Sequence, residues 1–336
     1  MKKMKKLFMP VVVVVTLVAM LVPAAVFAAE TGTATGTFSN NNLPSIDYVQ
    51  LWNTSGPAEV SAMTPQVQYD ARVKVTDADG KSDLTTIVVK VWYDADGGTP
   101  TSEEFDAISA GDAQTAIIIT WTEGVTFVLT EETDSTWVLG SCVPPDDLSG
   151  EFQFKFTVGK VATEAATGKW QIAAKVTDDS SQTDWEAEAA ASTMNWYGEI
   201  SGVSGTVSWG LVNPGMDFAE GDPSEEALNV TVKYVSNGAF DEKVKSGNWA
   251  GVPSGTATLS ANATSANEFA LKADDTGTLT SAVVVDATGV AIDETGALTE
   301  EVGHDAAANA LWLKLNATFT KATYSGTITY IIGDGS

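Results

Sequence analysis

The chain has 336 residues and a formal net charge of −26 at pH 7, with 44 acidic side chains against 18 basic ones. Arg72 is the single arginine. Binding to nucleic acid or to anionic lipid requires clusters of lysine and arginine, so the composition excludes both as partners. Cys142 is the single cysteine, and no disulfide within the chain can therefore stabilise the fold.

Residues 1–28 have the order of a secretory signal peptide. Four lysines precede a long apolar run, which ends in the small-residue sequence Val26-Phe27-Ala28. The alternative is an uncleaved membrane anchor, because the run approaches the length that spans a bilayer. Pro10, Pro23 and the ending favour cleavage. We therefore expect a secreted protein, located outside the cell or on its surface, with no membrane insertion after cleavage.

The mature chain is dominated by alternation of apolar and polar residues. Residues 29–45 are small, polar and threonine-rich, which predicts an extended N-terminal arm. Alternation with period two places one face of a strand in a core and the other in water. Such runs lie at 152–158, 170–176, 228–234 and 313–319. The helical pattern is limited to 101–112, where a cap precedes a short amphipathic turn.

A glycine-rich stretch divides this pattern in two. Gly202, Gly205 and the turn Asn213-Pro214-Gly215 predict a domain boundary near residue 200. The fold class is therefore all-β. We expect two consecutive β-sandwich domains, residues 46–199 and residues 200–336, after the signal peptide and the arm.

The phrase Lys-Val-Thr-Asp occurs twice, at 74–77 and at 175–178. Each copy is followed by a further aspartate at the same spacing, Asp83 in the first and Asp184 in the second. Both have the order strand, aspartate-rich turn, strand. The repetition indicates either two tandem repeats or one larger sandwich with two comparable hairpins. Because 100–150 lacks an evenly spaced strand set, we favour the single sandwich.

Two stretches carry a resemblance to a known class. "YDARVKVTDADGKSDLTTIVVKVWYD" and "GKWQIAAKVTDDSSQTDW" resemble the Ig-like β-sandwich modules of prokaryotic secreted cell-surface proteins. The tail "FTKATYSGTITYII" is similar to the last strand of a second sandwich type and to that of WxL-type wall-binding domains, whose tripeptide matches Trp209-Gly210-Leu211. The resemblance implies a structural role at the surface and transfers no catalytic residue.

Calcium is the one candidate ion. Its candidate ligands form two motifs, Asp77, Asp79 and Asp83 in the first and Asp94 and Asp96 in the second. Carboxylates two residues apart on a loop can converge on one Ca²⁺, but the same residues also favour tight turns, and we favour the turns. One strand joins the two motifs. They are therefore expected at opposite ends of that strand, which argues against a shared ion.

The chain lacks the residues of a recognisable catalytic site. His304 is the single histidine, and no nucleophile motif accompanies it. The pairs Glu131-Glu132 and Asp146-Asp147 are expected by chance in so acidic a chain. We therefore predict that the protein is not an enzyme and uses no organic cofactor.

Several aromatic and polar residues are candidates for other roles. Several tryptophans alternate with apolar partners and are expected in the core, whereas Trp196, Tyr197 and Trp249 lie in looser contexts that suit glycan binding. Cys142 could form a disulfide between chains in an oxidising compartment. Four sequons provide candidate N-glycosylation sites at Asn53, Asn229, Asn262 and Asn316.

These observations favour a structural function. We expect a subunit of an S-layer, sheath or filament, formed through strand-edge contacts between copies or with other surface components. In this hypothesis the threonine-rich segment 30–38 inserts into a neighbouring subunit. The alternative is a non-catalytic module that binds cell-wall polymer or glycan through exposed tryptophans.

Overall fold

The computed structural model describes residues 37, 40–56, 58–112, 114–131, 135–204, 206–218, 228–296 and 305–335. The predicted signal peptide, most of the predicted inserting segment, Glu132 and His304 lie outside these residues. Strands account for 50% of the described residues and helix for 3%. The all-β sandwich prediction is therefore confirmed.

The first half of the described chain, through Met194, contains twelve described strands. They are β1 (Ser45–Asn53), β2 (Ala58–Glu59), β3 (Ala62–Met63), β4 (Gln68–Thr76), β5 (Leu84–Tyr93), β6 (Ala116–Thr122), β7 (Val128–Thr130), β8 (Val138–Leu139), β9 (Phe152–Thr157), β10 (Ala165–Asp178), β11 (Thr183–Ala187) and β12 (Ser192–Met194). One sheet has the order β2-β1-β4-β9-β8. The other has the order β3-β12-β10-β5-β6-β7, with β11 also paired to β10.

The two sheets enclose one aromatic-rich core. Phe152, Phe154 and Phe156 of β9 are completely buried and alternate with half-exposed residues, as the period-two pattern predicts. Trp170 of β10 lies in the same core. Burying four such side chains stabilises the fold by about 2 kcal/mol or more for each.

One part of the alternation prediction is wrong. The outer face of β10 is not in water, because Gln171 and Ala173 are buried as well. The cover is α1 (Ser102–Ala107), whose Phe105 packs on this face. Lys90 of β5 donates from Nζ to the carbonyl oxygen of Phe105, which fastens the helix to the sheet. The short helix itself agrees with the pattern at 101–112, and a capping box at its start stabilises it.

The second half of the described chain forms the other sandwich. Its described strands are β13 (Gly198–Val203), β14 (Leu228–Ser236), β15 (Phe240–Ser246), β16 (Trp249–Val252), β17 (Thr256–Leu259), β18 (Glu268–Asp274), β19 (Val283–Val284), β20 (Val290–Gly296), β21 (Asp305–Leu315), β22 (Thr323–Ser325) and β23 (Ile328–Asp334). One sheet has the order β13-β14-β21-β18-β17-β16-β22, and β19 pairs with β18. The other has the order β20-β15-β23.

The predicted strand at 313–319 ends early. β21 stops at Leu315, so Ala317 and Phe319 do not continue it. Asn316 ends the strand because its Nδ2 donates to the carbonyl oxygen of Ala263 and its Oδ1 accepts from the N–H of Thr318. The side chain thereby provides the bonds of a turn.

The strands that end at or before Met194 belong to the sheets of the first sandwich, and those from Gly198 onward belong to the sheets of the second. The change lies close to the predicted boundary near residue 200. Asn237 is completely buried at this junction. Its Nδ2 donates to the carbonyl oxygens of Ala162 and Asn195, both at 2.9 Å. By their contacts, residues 42–336 form one compact unit. The division into two domains, residues 46–199 and 200–336, stays a prediction.

Within the part of the chain that the structure describes, no helix is both long and apolar enough to cross a membrane.

Candidate functional site

The candidate site lies at the end of β4, where the sequence Asp77-Ala78-Asp79-Gly80 turns the chain. Asp77 accepts through Oδ1 from the backbone N–H of Asp79 at 2.8 Å, which is the usual bond of an aspartate turn. Gly80 has φ of +91°, a conformation that side chains disfavour. A 3-10 turn at Lys81–Asp83 then leads into β5.

This turn brings three carboxylates together. One oxygen from each of Asp77, Asp79 and Asp83 lies within 4.8 Å of the other two. Asp77 is only 9% exposed. The Oδ2 atoms of Asp77 and Asp83 are buried and have no hydrogen-bond partner. The turn therefore concentrates negative charge, and two of its oxygens, Oδ2 of Asp77 and Oδ2 of Asp83, are shielded from water.

The second Lys-Val-Thr-Asp phrase meets the first at this point. Asp179 donates its backbone N–H to the carbonyl oxygen of Asp83 at 2.8 Å. Its Oδ1 accepts from Thr85 Oγ1 at 3.1 Å. Asp178, 2% exposed, accepts through Oδ1 from the N–H of Gln182 at 2.7 Å. Since β4 and β10 belong to different sheets, the cluster lies where the two sheets of one sandwich converge.

Burial and neighbouring charge both affect Asp83. Burial raises the pKa of its carboxyl above the ordinary value, and the negative charges of Asp77, Asp178, Asp79 and Asp179 raise it further. All five aspartates therefore interact electrostatically. Their repulsion favours any species that supplies positive charge, either a proton or a metal ion.

Asn42 ties the segment before β1 to this site. Its backbone N–H donates to Asp79 Oδ2 at 2.6 Å, and its Nδ2 donates to Asp79 Oδ1 at 2.9 Å. Sequence reasoning missed Asn42, Asp178 and Asp179. The repeated Lys-Val-Thr-Asp phrase was a signal for Asp178. That Asp178 lies close to Asp83 follows only from the way in which the two sheets pack against each other.

The second predicted motif is a turn at the other end of β5. Asp94 accepts through Oδ1 from the N–H of Asp96 and through Oδ2 from the N–H of Gly98, both at 3.1 Å. Both oxygens are thus satisfied. Ten residues of extended strand separate this turn from Asp83, a distance of about 30 Å. The two motifs are too far apart to share an ion.

The predicted glycan-binding residues do not form one surface. Trp196 donates from Nε1 to the carbonyl oxygen of Ala239, and Tyr197 donates from its hydroxyl to Glu199 Oε2, both near the junction of the sandwiches. Trp249 instead lines a cavity of about 700 Å³ in the second sandwich and packs against Trp209, with ring centroids 6.0 Å apart.

The remaining candidates have local roles. Asn53 accepts through Oδ1 from the N–H and hydroxyl of Ser55, whereas Asn229 and Asn262 are exposed and Asn316 has the turn bonds described above. Cys142 is half-buried, and its Sγ accepts from the N–H of Lys155 at 3.2 Å. Asp147 accepts from Ser149, which lowers the pKa of its carboxyl.

Comparisons with known proteins give no family. The sequence matches no protein-family model, and a comparison with curated proteins found no significant match.

Proposed function

We propose that this chain is a secreted structural protein, a subunit of an extracellular or cell-surface assembly that forms through strand-edge contacts. The observation that carries the proposal is a pair of apolar sheet edges on one side of the first sandwich. β7 and β8 are the terminal strands of the two sheets and lie next to each other. Each leaves an edge available for pairing.

The side chains at these edges are apolar and exposed. Val128 of β7 is 50% exposed and Val138 of β8 is 55% exposed. Val125 and Val143, in the adjacent loops, are 61% and 47% exposed. Natural edge strands are protected by being very short, by lysine or proline, or by a covering loop. β7 and β8, with three and two residues, are short but contain neither lysine nor proline. Four exposed valines beside two open edges instead suit burial against another copy of the chain.

The composition supports the same function. A strongly acidic chain remains soluble until a specific contact forms, because its copies repel one another at long range. The resemblance to Ig-like surface modules and the secretory type of N-terminus also favour a role outside the cell. The glycan-binding alternative requires an exposed aromatic platform, whereas Trp196 and Tyr197 donate hydrogen bonds near the junction of the sandwiches.

Electron microscopy of the protein without residues 1–28 tests the proposal. We expect ordered filaments or sheets at high protein concentration. The double variant Val128→Lys/Val138→Lys should remain monomeric, because two charges at the edges oppose burial. Leu211→Lys/Met216→Lys is the matched control, since it adds the same charge at exposed apolar residues of the second half that lie outside its strands. Monomers of the unsubstituted protein, or equal assembly by both variants, would contradict the proposal.

A further inference from the structure

The acidic cluster after β4 contains buried carboxylate oxygens that the protein leaves without partners. Asp77 is about nine-tenths buried, and its Oδ2 accepts no hydrogen bond. Oδ2 of Asp83 is also a buried atom that accepts no hydrogen bond. A buried charged oxygen without a partner destabilises the folded state. We therefore expect a positively charged species that is not a group of the protein to neutralise these oxygens.

The described side chains supply no cation to these oxygens. None of the ion pairs formed among the described residues involves Asp77, Asp79 or Asp83. Lys81 lies nearest in sequence, but its Nζ donates to the carbonyl oxygen of Pro145. Arg72 pairs with Asp70 and Glu151 instead.

The spacing of the oxygens fits a calcium ion. Ca²⁺ binds oxygens at about 2.3–2.6 Å, so two ligands on opposite sides of one ion are about 4.6–5.2 Å apart. The three aspartate oxygens lie within 4.8 Å of one another. Ca²⁺ is also smaller than water, so it can enter a space between buried oxygens that water does not reach. The ligands are all oxygen, which Ca²⁺ prefers.

We propose that Asp77, Asp79 and Asp83 bind one Ca²⁺, which the adjoining charges of Asp178 and Asp179 further attract. The ion neutralises a cluster in which all five charges repel. It joins the end of β4 to the start of β5, which belongs to the other sheet, and through Asn42 it also fixes the segment before β1. Calcium therefore stabilises the sheet-to-sheet contact of the first sandwich, independently of any assembly between chains.

Calorimetric titration of the dilute, calcium-free protein with CaCl₂ tests the proposal. We expect one saturable site per chain, retained at about 0.15 M NaCl, where long-range attraction to a net negative surface is largely screened. Calcium should also raise the thermal unfolding temperature, because it binds the folded state. MgCl₂ should compete weakly, since Mg²⁺ requires a smaller octahedral site.

Two substitutions and a matched control make the test specific. Asp77→Asn and Asp83→Asn each remove a charged ligand and should weaken calcium binding at least about tenfold. Asp96→Asn removes the same charge from the matching motif at the other end of β5 and should leave binding unchanged. Without calcium, Asp83→Asn should unfold no earlier than the unsubstituted chain, which distinguishes a lost ligand from a damaged fold.

Three results would overturn the proposal. The first is the absence of saturable binding below about 1 mM Ca²⁺, the weak end of known calcium modules. The second is diffuse binding of many ions that disappears with added salt. The third is equal binding by Asp77→Asn, Asp83→Asn and Asp96→Asn. The titration uses monomeric protein, so its result does not depend on the proposed assembly.

Discussion

The backbone N–H of Asp179 donates to the carbonyl oxygen of Asp83 at 2.8 Å, although the two residues are 96 positions apart in the chain. This bond joins the two Lys-Val-Thr-Asp phrases at one end of the first sandwich. Each phrase ends a long strand, β4 in one sheet and β10 in the other. A turn that appears local in the sequence is therefore part of a contact between sheets.

The first prediction concerns pH and the cluster. The folded-state pKa of Asp83 is raised, so its contribution to stability is present below the unfolded pKa and is lost as pH rises through the folded pKa. In a chelator, the unsubstituted chain should lose stability relative to Asp83→Asn as pH rises through this range. In CaCl₂ the difference should reverse, because Ca²⁺ binds the deprotonated carboxylate. Thermal unfolding from pH 4 to 8 measures the difference in stability between the two chains, once in chelator and once in CaCl₂. A difference that changes neither with pH nor with calcium would contradict the prediction.

A second prediction concerns Glu188, which lies beside a groove between β1 and β11. Its Oε1 accepts from the N–H of Leu51 at 3.0 Å, while its buried Oε2 has no partner. Burial raises the pKa to about 7. The contribution of Glu188 to stability is fully present below its pKa in the unfolded chain and is lost as pH rises towards 7. Glu188→Gln should therefore be more stable at pH 8 by about 1–3 kcal/mol.

Urea unfolding at pH 5 and pH 8 measures the effect of Glu188→Gln. The amide oxygen of glutamine still accepts from Leu51, so the gain should appear mainly at pH 8. Glu186→Gln is the control, because Glu186 is an exposed carboxylate two residues away. An equal gain in both variants would show that net charge, and not the burial of Glu188, is responsible.

A third prediction concerns the junction between the sandwiches. Asn237→Ala removes two bonds donated by Nδ2 and the bond that Oδ1 accepts from the N–H of Tyr197. At about 1 kcal/mol for each, the junction should lose about 3 kcal/mol. Unfolding in urea should then separate into two transitions. Asn248→Ala, which removes a single bond to Leu259, should retain the original profile. A single transition in both variants would show that the bonds of Asn237 are not what couples the two halves.

The fourth prediction concerns the thiol of Cys142. Burial raises its pKa, and the thiolate is the reactive form. The thiol should therefore react with a disulfide reagent at pH 8 much more slowly in the folded protein than in urea. Equal rates in the two states would contradict this prediction and favour a role for Cys142 in a disulfide between chains.

The local pattern of residues predicted several strands and the helix. Phe152, Phe154 and Phe156 alternate with polar residues, and β9 agrees with this pattern because successive side chains of a strand point to opposite faces. Thr101 and Glu104 likewise specify the start of α1 through a capping box. The pattern was less informative where a second layer covers a strand, as α1 covers the outer face of β10.

The sequence by itself determined an acidic, all-β chain and a turn at Asp77, whereas the secretory N-terminus stays a prediction. Only the tertiary structure decided that Asp178 and Asp179 face this turn, that Asn42 binds it, and that the turn at Asp94 has satisfied oxygens. The physical reason is that charge and turn geometry act over a few residues, whereas burial and the meeting of carboxylates depend on how sheets pack. The proposal of a calcium site therefore rests on the fold.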